Sequence, residues 1–393
     1  MQRRRVLWVL LTALLYFAPN AIATRHALAQ TWQMPQIQGP PSTQEPEEPA
    51  TEFAPVEERS LFTQDHIGVI LPLQSNAYRR LAEQVRLGIL TASNMATSYR
   101  ALPVNVYSTD ADTRSILEAY ERAIRESARV IIGPLTRDGV SAVAERALVS
   151  VPTIALNVPN QNIALPRQMF VFGLQIESEA EQLAKLAFRH GGRKALLVVS
   201  ETALSQRIAR AFTRQWKALK GDIADEFVYS TDAVALAGLR ELLDATAADV
   251  AFLAVNAPRA RFIRAYLGTQ FPIYATSLVY ASRTDKLELY DLDGVRFMDM
   301  PWLLQEDHPA VMTYLRTTLQ SSALDEERFY ALGIDAYRIS QALLQNAATL
   351  PKIDGVTGII KLNEQQRFTH ELTPAFFSYG TARLLTQEPG KQQ

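Results

Sequence analysis

The sequence predicts an α/β protein with two doubly wound lobes, and three observations carry that prediction. Short apolar runs rich in valine, isoleucine and leucine alternate with segments whose apolar residues recur every three or four positions. These patterns are typical of buried parallel strands and of amphipathic helices, respectively. The alternation fills two successive blocks, and each block predicts one parallel sheet with right-handed helical crossovers. With 48% hydrophobic residues, the chain of 393 also has ample apolar surface for a buried core.

The first block predicts five strands separated by helices. The strands are expected at 67–73, 103–107, 130–132, 153–156 and 169–174. Helices are expected across 81–92, from 113 to about 124, and from about 136 to 149. Ser75 or Asn76 is predicted to cap the first helix, because short polar side chains accept hydrogen bonds from free N–H groups. Asp112 or Thr113 is predicted to cap the second helix for the same reason.

The second block repeats the alternation, and a different tail follows it. Its strands are expected at 195–199, 223–229, 250–255 and 273–276, and its helices at 177–189, 203–219, 236–246 and 259–267. The first of these helices stops at Gly191 and Gly192, as a glycine C-cap would stop it. The tail predicts a strand at 295–300, a long helix at 328–344, and strands of a hairpin or meander at 356–362 and 372–378.

The N-terminal region is predicted to be a secretory signal peptide (residues 1–29) followed by a disordered tether (30–64). Three arginines precede an apolar run at 6–18, and small residues follow at two possible cleavage sites. The run is shorter than the roughly 20 residues that span a bilayer. The tether is rich in proline and glutamate and cannot bury enough apolar surface to become ordered. Residues 386–393 are expected to be a flexible tail.

The chemistry that the sequence lacks argues against an enzyme. The chain has no cysteine, so it has no disulfide, no thiolate metal site and no cysteine that could carry a lipid. We find no dinucleotide fingerprint, phosphate-binding loop, nucleophile elbow or closely spaced histidine pair. We therefore expect no catalytic residue, no cofactor and no metal site. The net charge of −1 argues against nucleic-acid binding, and no later segment is long and apolar enough to be transmembrane.

Three segments carry recognisable motifs, VIIGPLTRDGVSAVAERALVSVPTIALN at 130–157, FYALGIDAYRISQALLQ at 329–345 and VTGIIKLNEQQRF at 356–368. They resemble the type I periplasmic binding-protein (Leu/Ile/Val-binding-like) superfamily. Together with IGVILPL at 67–73 and PWLL at 301–304, they are most similar to the penicillin-binding protein activator family, the LppC-like lipoproteins. The resemblance covers about residues 65–385. It implies two lobes joined by a three-segment hinge, with lobe one at 65–174 plus 278–350 and lobe two at 175–277 plus 351–385.

This resemblance also implies a function. Members of the family stimulate a bifunctional penicillin-binding protein, which is a peptidoglycan synthase. We therefore expect a non-catalytic regulator of cell-wall synthesis that acts by protein contact in the periplasm. Outer-membrane anchoring is not expected without a lipid-carrying cysteine. Peptidoglycan or a small polar ligand is a further possible partner, and the alternative function is a solute-binding protein that feeds an ABC transporter.

The resemblance also points to a ligand cleft. Amino-acid receptors of the superfamily hold their ligand on the first-lobe loops that here contain Leu135, Thr136, Leu156 and Asn157. Capping and turn formation are the alternative role of Thr136 and Asn157. In the second lobe, receptors use an aromatic residue where this chain has Glu201, which would repel a ligand carboxylate unless protonated or paired. Asp335 or Glu201 could meet a ligand ammonium.

Overall fold

A computed structural model of the chain describes residues 64–96, 101–160, 163–283, 286–314, 323–345 and 352–385. All of these residues lie within one unit of the chain, Ser60–Gln393. The predicted signal peptide, the predicted tether up to residue 63 and the predicted tail at 386–393 lie outside the described residues. Among the described residues, no helix is both long and apolar enough to cross a membrane.

The first block forms a parallel five-stranded sheet of order β2-β1-β3-β4-β5. Its strands are β1 (His66–Leu71), β2 (Val104–Ser108), β3 (Ala128–Ile132), β4 (Thr153–Ala155) and β5 (Met169–Val171), and its helices are α1 (Arg79–Met95), α2 (Thr113–Arg125) and α3 (Arg137–Arg146). Every predicted element of this block is present. Asp112 caps α2 as predicted, since its side chain accepts from the Ser115 N–H at 2.9 Å. The predicted cap of α1 is wrong, because Tyr78 occupies that position without a side-chain hydrogen bond.

The second block also forms the predicted strands and helices. The elements are α4 (Ile176–Arg189), β6 (Lys194–Val199), α5 (Ala203–Ala218), β7 (Asp222–Val228), α6 (Ala233–Ala245), β8 (Val250–Leu253), α7 (Ala257–Leu267) and β9 (Ile273–Ala275). A 3₁₀ turn (Ser277–Val279) follows. The glycine stop of α4 is as predicted, since Gly191 has a positive φ of 95° just after the helix.

The C-terminal third contains more elements than the sequence predicts. It comprises α8 (Lys286–Tyr290), β10 (Val295–Asp299), α9 (Pro301–Leu304), α10 (Pro309–Met312), α11 (Leu324–Gln345), β11 (Ile353–Asp354), β12 (Ile359–Leu362), β13 (Phe368–Glu371), β14 (Thr373–Ser378) and β15 (Thr381–Leu384). The second sheet has seven strands in the order β15-β14-β10-β9-β8-β6-β7, and β11-β12-β13 form a separate antiparallel sheet.

The chain returns to the second sheet earlier than the predicted lobe division places it. That division assigns 278–350 to lobe one, yet β10 pairs in parallel with β9 and antiparallel with β14. Strand β10 thus lies inside the second sheet, hydrogen-bonded to β9 on one side and to β14 on the other. Helix α11, by contrast, packs against α1 of the first block.

Each sheet is covered on both faces, as a doubly wound fold requires. In β1, Val69 and Leu71 share a hydrophobic cluster with residues of α1 and α11, whereas Ile70 between them joins a cluster with α2 and α3. In β6, Val198 belongs to the first of these clusters and Leu197 to a third one, built with α4 and α5. Alternate residues of a strand point to opposite faces, so both sheets bury both of their faces.

Candidate functional site

The predicted ligand-binding loops of the first block lie next to each other at the carboxyl ends of β3 and β4. Gly133 allows the chain to turn there, since its φ is +113° and a Cβ would lie 2.2 Å from the carbonyl oxygen of Ile70. The Leu156 N–H donates to the Pro134 carbonyl at 2.9 Å, which ties the two loops together. The structure thus brings Leu135, Thr136, Leu156 and Asn157 together, as the resemblance implies.

The polar groups of these loops bond to the protein itself. Thr136 is 5% exposed, and its Oγ1 accepts from the Gly139 N–H at 3.2 Å as the N-cap of α3. The Asn157 Nδ2 donates to the Leu135 carbonyl at 3.1 Å, and its Oδ1 accepts from the Val158 N–H at 2.9 Å. The side chains of Leu135 and Leu156 are buried. The geometry matches the capping and turn role, and ligand contact at these residues stays a prediction.

Glu201, the predicted ligand residue of the second block, differs from these residues in its exposure to solvent. It is exposed in the loop between β6 and α5. Its neighbour Thr202 caps α5, since the Ser205 N–H donates to the Thr202 Oγ1 at 3.3 Å. A ligand role for Glu201 also stays a prediction.

Asp335 holds two parts of the fold together, which leaves it no room for a ligand ammonium. It is fully buried on α11, and its Oδ2 accepts from both the N–H and the hydroxyl of Thr357 at 2.7 Å. Its Oδ1 accepts from the Val356 N–H at 3.2 Å and from Arg338 at 3.0 Å. Burial raises the pKa of Asp335 from its ordinary value, against the opposing effects of Arg338 and of the Thr357 hydrogen bonds.

A buried ion pair connects α11 to the end of β10. Arg328 and Asp299 are 7% and 2% exposed, and the Arg328 guanidinium donates to the two Asp299 carboxylate oxygens at 2.6 and 3.3 Å. Arg328 also donates to the Tyr280 carbonyl at 2.9 Å and to Asp325 at 2.6 Å. Burial disfavours the charge of Arg328, but Asp299 outweighs it and raises the pKa above the ordinary value, so the guanidinium stays charged.

Glu179 extends this network from the first turn of α4. Its carboxyl group accepts from the backbone N–H and, at 2.9 Å, from the hydroxyl of Ser277. Burial raises the pKa of Glu179 to about 8, and the neighbouring Asp299 carboxylate adds to the rise. The side chain is therefore mostly protonated at neutral pH, which leaves Asp299 as the partner of the Arg328 charge.

These residues line a cavity of about 220 Å³ where several chain segments meet. The cavity is also lined by Leu174 and Ser277, which end the predicted lobe segments 65–174 and 175–277. Arg328 pairs with Asp299, and Glu179 accepts hydrogen bonds from Ser277 beside this pair. These interactions connect α4, β10 and α11 to one another. Among the described residues, no three histidine, aspartate or glutamate side chains are grouped closely enough to hold a metal ion.

The sequence analysis did not single out Glu179, Asp299 or Arg328 as functional residues. Each lies within or at the edge of a predicted helix or strand, and a charged residue there normally faces solvent. The available signal is the position of Arg328, immediately before the mostly apolar run 329–344, which contains only two charged residues.

Comparison with known proteins identifies the family. A family model described as "LppC putative lipoprotein" matches residues 20–244 and 238–380. The penicillin-binding protein activator LpoA of Haemophilus influenzae is 26% identical over 317 residues, which cover 78% of this chain and 53% of that protein. The activator LpoA of Vibrio vulnificus is 23% identical, over 81% of this chain and 58% of that protein. The chain spans about half the length of the curated relatives it matches.

Solved structures show the same architecture. The LpoA C-domain from Haemophilus influenzae, described as a regulator of PBP1A, superposes with a TM-score of 0.69 at 21% identity, over 82% of this chain and all of that chain. A "putative branched-chain amino acid ABC transporter" from Chromobacterium violaceum superposes with a TM-score of 0.68 at 35% identity, over 80% of this chain and all of that chain.

The two α/β sheets and these neighbours define a type I periplasmic binding-protein fold, which confirms the predicted fold class. Within that class, the chain belongs to the LppC family, because the family model matches well over half of its residues. The resemblance noted in the sequence is thereby confirmed. Membership in a lipoprotein family, with activators of penicillin-binding proteins among its relatives, indicates a location in the cell envelope.

Proposed function

We propose that this chain is a non-catalytic regulator of peptidoglycan synthesis that activates a bifunctional penicillin-binding protein by direct contact in the periplasm. The observation that carries the proposal is the match to relatives named penicillin-binding protein activators over about four-fifths of the chain. The matched part of those relatives includes the C-domain described as a regulator of PBP1A. Activation therefore rests on surfaces that this fold presents.

The interior geometry supports a regulator over a solute receptor. A receptor closes its lobes around a ligand whose polar groups replace water on the loops. In this chain, Thr136 and Asn157 already bond to backbone groups of the protein, the Gly139 N–H and the Leu135 carbonyl. The buried Arg328–Asp299 pair fixes α11 to the second sheet. These bonds favour a rigid protein that docks onto a partner over a receptor whose lobes close around a ligand.

The test is binding of the purified chain to the bifunctional penicillin-binding proteins of the same organism. We expect a dissociation constant of about 1 μM or tighter, together with faster glycan polymerisation or peptide cross-linking by the bound synthase. Absence of binding to every bifunctional synthase would overturn the proposal. Thermal unfolding of the chain in the presence of a panel of amino acids then tests the receptor alternative. The 35% identity to a structure described as a putative branched-chain amino acid ABC transporter is the reason to test it. A ligand-dependent rise in Tm would support that alternative.

A pair of variants separates the two functions. Asn157→Ala removes the side chain that a receptor would offer to its ligand, and Glu201→Gln removes the charge of the predicted ligand residue between β6 and α5. A regulator acting through its outer surface keeps its stimulation of the synthase in the Asn157→Ala variant, apart from a modest loss of stability of about 1 kcal/mol from the missing hydrogen bonds. A receptor loses its ligand-dependent Tm shift in the same variant.

A further inference from the structure

A second and larger cavity lies outside the predicted ligand loops, and we call it the α4 groove. It has a volume of about 490 Å³ and lies between α4 and the strands β12 and β13. That volume falls within the range of small-molecule sites in proteins, which is roughly 300–1,000 Å³. Its apolar lining consists of Met298, Ile359, Leu372 and Pro374.

The walls of the α4 groove are held in place by one side chain. The Gln182 Nε2 donates to the His370 carbonyl at 3.0 Å, and the Gln182 Oε1 accepts from the Leu372 N–H at 3.0 Å. Both ends of this amide are therefore used to tie α4 to the chain that leaves β13. A groove with walls fixed in this way is formed before any ligand arrives, which lowers the entropy lost on binding.

The charges around the α4 groove favour an anion. Its two acids are engaged, since Glu181 lies 2.5 Å from Arg214 and Glu371 lies 3.2 Å from Lys361. Lys185 and Arg189, one turn apart on α4, also line the groove and are exposed. Within the part of the chain that the structure describes, neither of them has an acidic partner. Two adjacent unpaired cations form a natural contact for a carboxylate or a phosphate group.

His370 supplies the second indication of a ligand. It lines both the α4 groove and the 220 Å³ cavity, is 8% exposed, and its Nδ1 has no hydrogen-bond partner among the described residues. Burial lowers the pKa of His370 to about 4, so the ring is neutral at neutral pH. A buried polar atom without a partner is costly, and a hydroxyl or N–H group of a ligand would satisfy it.

We propose that the α4 groove binds a small organic anion, with its charged group on Lys185 and Arg189, an apolar body on Met298 and Ile359, and a polar atom toward His370. The inference concerns a ligand of this groove and stands independently of contact with a synthase. A carboxylate and a phosphate ester share the chemistry that Lys185 and Arg189 recognise, so the experiment has one arm for each.

The test follows the histidine resonances of the ¹⁵N-histidine-labelled full chain by NMR, with His370 assigned by its absence in a His370→Phe variant. The probes are 4-hydroxyphenylacetate, phenyl phosphate, inorganic phosphate and the neutral 4-hydroxyphenylacetamide, each up to about 10 mM. We expect at least one of the two organic anions to shift the His370 resonance saturably, and inorganic phosphate and the amide to bind at least roughly tenfold more weakly. The organic anion whose shift saturates at the lower concentration identifies the preferred charged group.

Variants then assign the effect to the groove. Lys185→Ala and Arg189→Ala remove exposed side chains and should fold normally, and each should weaken binding by roughly tenfold. Lys217→Ala removes an exposed cation from α5 and is the matched control, which should leave binding unchanged. Absence of any saturable shift of His370, equal shifts from the amide, or equal binding by the Lys185→Ala and Lys217→Ala variants would each overturn the proposal.

Discussion

The buried carboxyl group of Glu179 makes stability depend on pH. Its pKa of about 8 in the folded protein compares with an ordinary value of 4.5, and burial is the main cause. Between these values the unfolded chain has lost the proton that the folded chain still holds, so raising the pH favours unfolding. From Glu179 alone we expect the free energy of unfolding to fall as the pH rises from about 5 to about 8, by at most ~1.4 kcal/mol per pH unit.

Urea denaturation of wild type and Glu179→Gln at several pH values checks this expectation. The glutamine keeps an oxygen acceptor for Ser277 and cannot ionise, so its stability should vary less with pH than that of wild type across the same window. Glu145→Gln changes an exposed glutamate of α3 and is the control, which should follow wild type. Parallel pH profiles for wild type and Glu179→Gln would contradict the assignment.

The Arg328–Asp299 pair should be far more sensitive to truncation than a surface pair. Arg328→Met leaves Asp299 buried without its counter-charge, so we expect a loss of about 3–5 kcal/mol in the free energy of unfolding. The double variant Arg328→Met/Asp299→Leu removes both charges and should recover part of that loss. Arg114→Met breaks an exposed pair with Glu118 and should leave the free energy of unfolding nearly unchanged. Equal losses in the single and double variants would argue against a buried ion pair.

The roles of individual residues could be predicted from sequence where they depend on neighbouring residues. They could not be predicted where they depend on which distant segments are buried together. Asp112 was predicted as a cap because capping is a matter of a few adjacent residues. Asp335 was named for its charge and its place in a motif, yet its partners Val356 and Thr357 lie about twenty positions further along the chain. Such a partner set follows from the three-dimensional arrangement of α11 and the segment before β12, which residue types alone do not reveal.

At the scale of elements, two glycines let α1 and α11 pack backbone to backbone. A Cβ on Gly88 would lie 2.0 Å from the Tyr330 carbonyl oxygen, and a Cβ on Gly333 would lie 2.2 Å from that of Val85. Helices that approach this closely leave no space for a methyl group at the crossing. The crossing joins a helix of the first block to the helix that precedes β11, so its spacing affects both segments.

We therefore expect Gly333→Ala to lower the free energy of unfolding by about 3 kcal/mol or to prevent folding, because the backbones must move apart. Gly238→Ala is the matched control, since Gly238 lies within α6 and a Cβ placed on it would have no neighbouring atom within 4 Å. There the alanine should stabilise the helix by about 0.5–1 kcal/mol. Thermal and urea unfolding measure both variants, and a Gly333→Ala variant as stable as wild type would contradict the close crossing.

The elements themselves were largely predictable, and their sheet assignments in the tail were not. Strands such as β6 and β8 are continuous apolar runs bounded by helices, and both were predicted within two residues of their ends. Strands β13 and β15 were missed, because each is only four residues long and mixes polar with apolar residues, which leaves too short a pattern to identify a strand. The place of β10 beside β9 and β14 depends on pairing between distant segments, which periodicity does not encode.

At the scale of the whole molecule, both sheets share one continuous hydrophobic cluster. Ile67 and Val130 of the first sheet belong to it, and so do Val198 and Phe297 of the second. The Asp335–Thr357 bonds and the Arg328–Asp299 pair add polar links between segments far apart in sequence. Opening one lobe would therefore expose part of the core of the other, which couples their stabilities.

This coupling predicts that both sheets unfold in one cooperative transition. Trp216 reports on the cluster of α4 and α5, and Trp302 reports on the shared cluster. Trp216→Phe and Trp302→Phe variants each remove one reporter, and in each we expect the urea midpoint by tryptophan fluorescence to match the midpoint by far-UV circular dichroism. Separate midpoints would mean that the lobes unfold independently and would contradict the coupling. A single midpoint would mean that the surface of each lobe persists until the whole fold is lost.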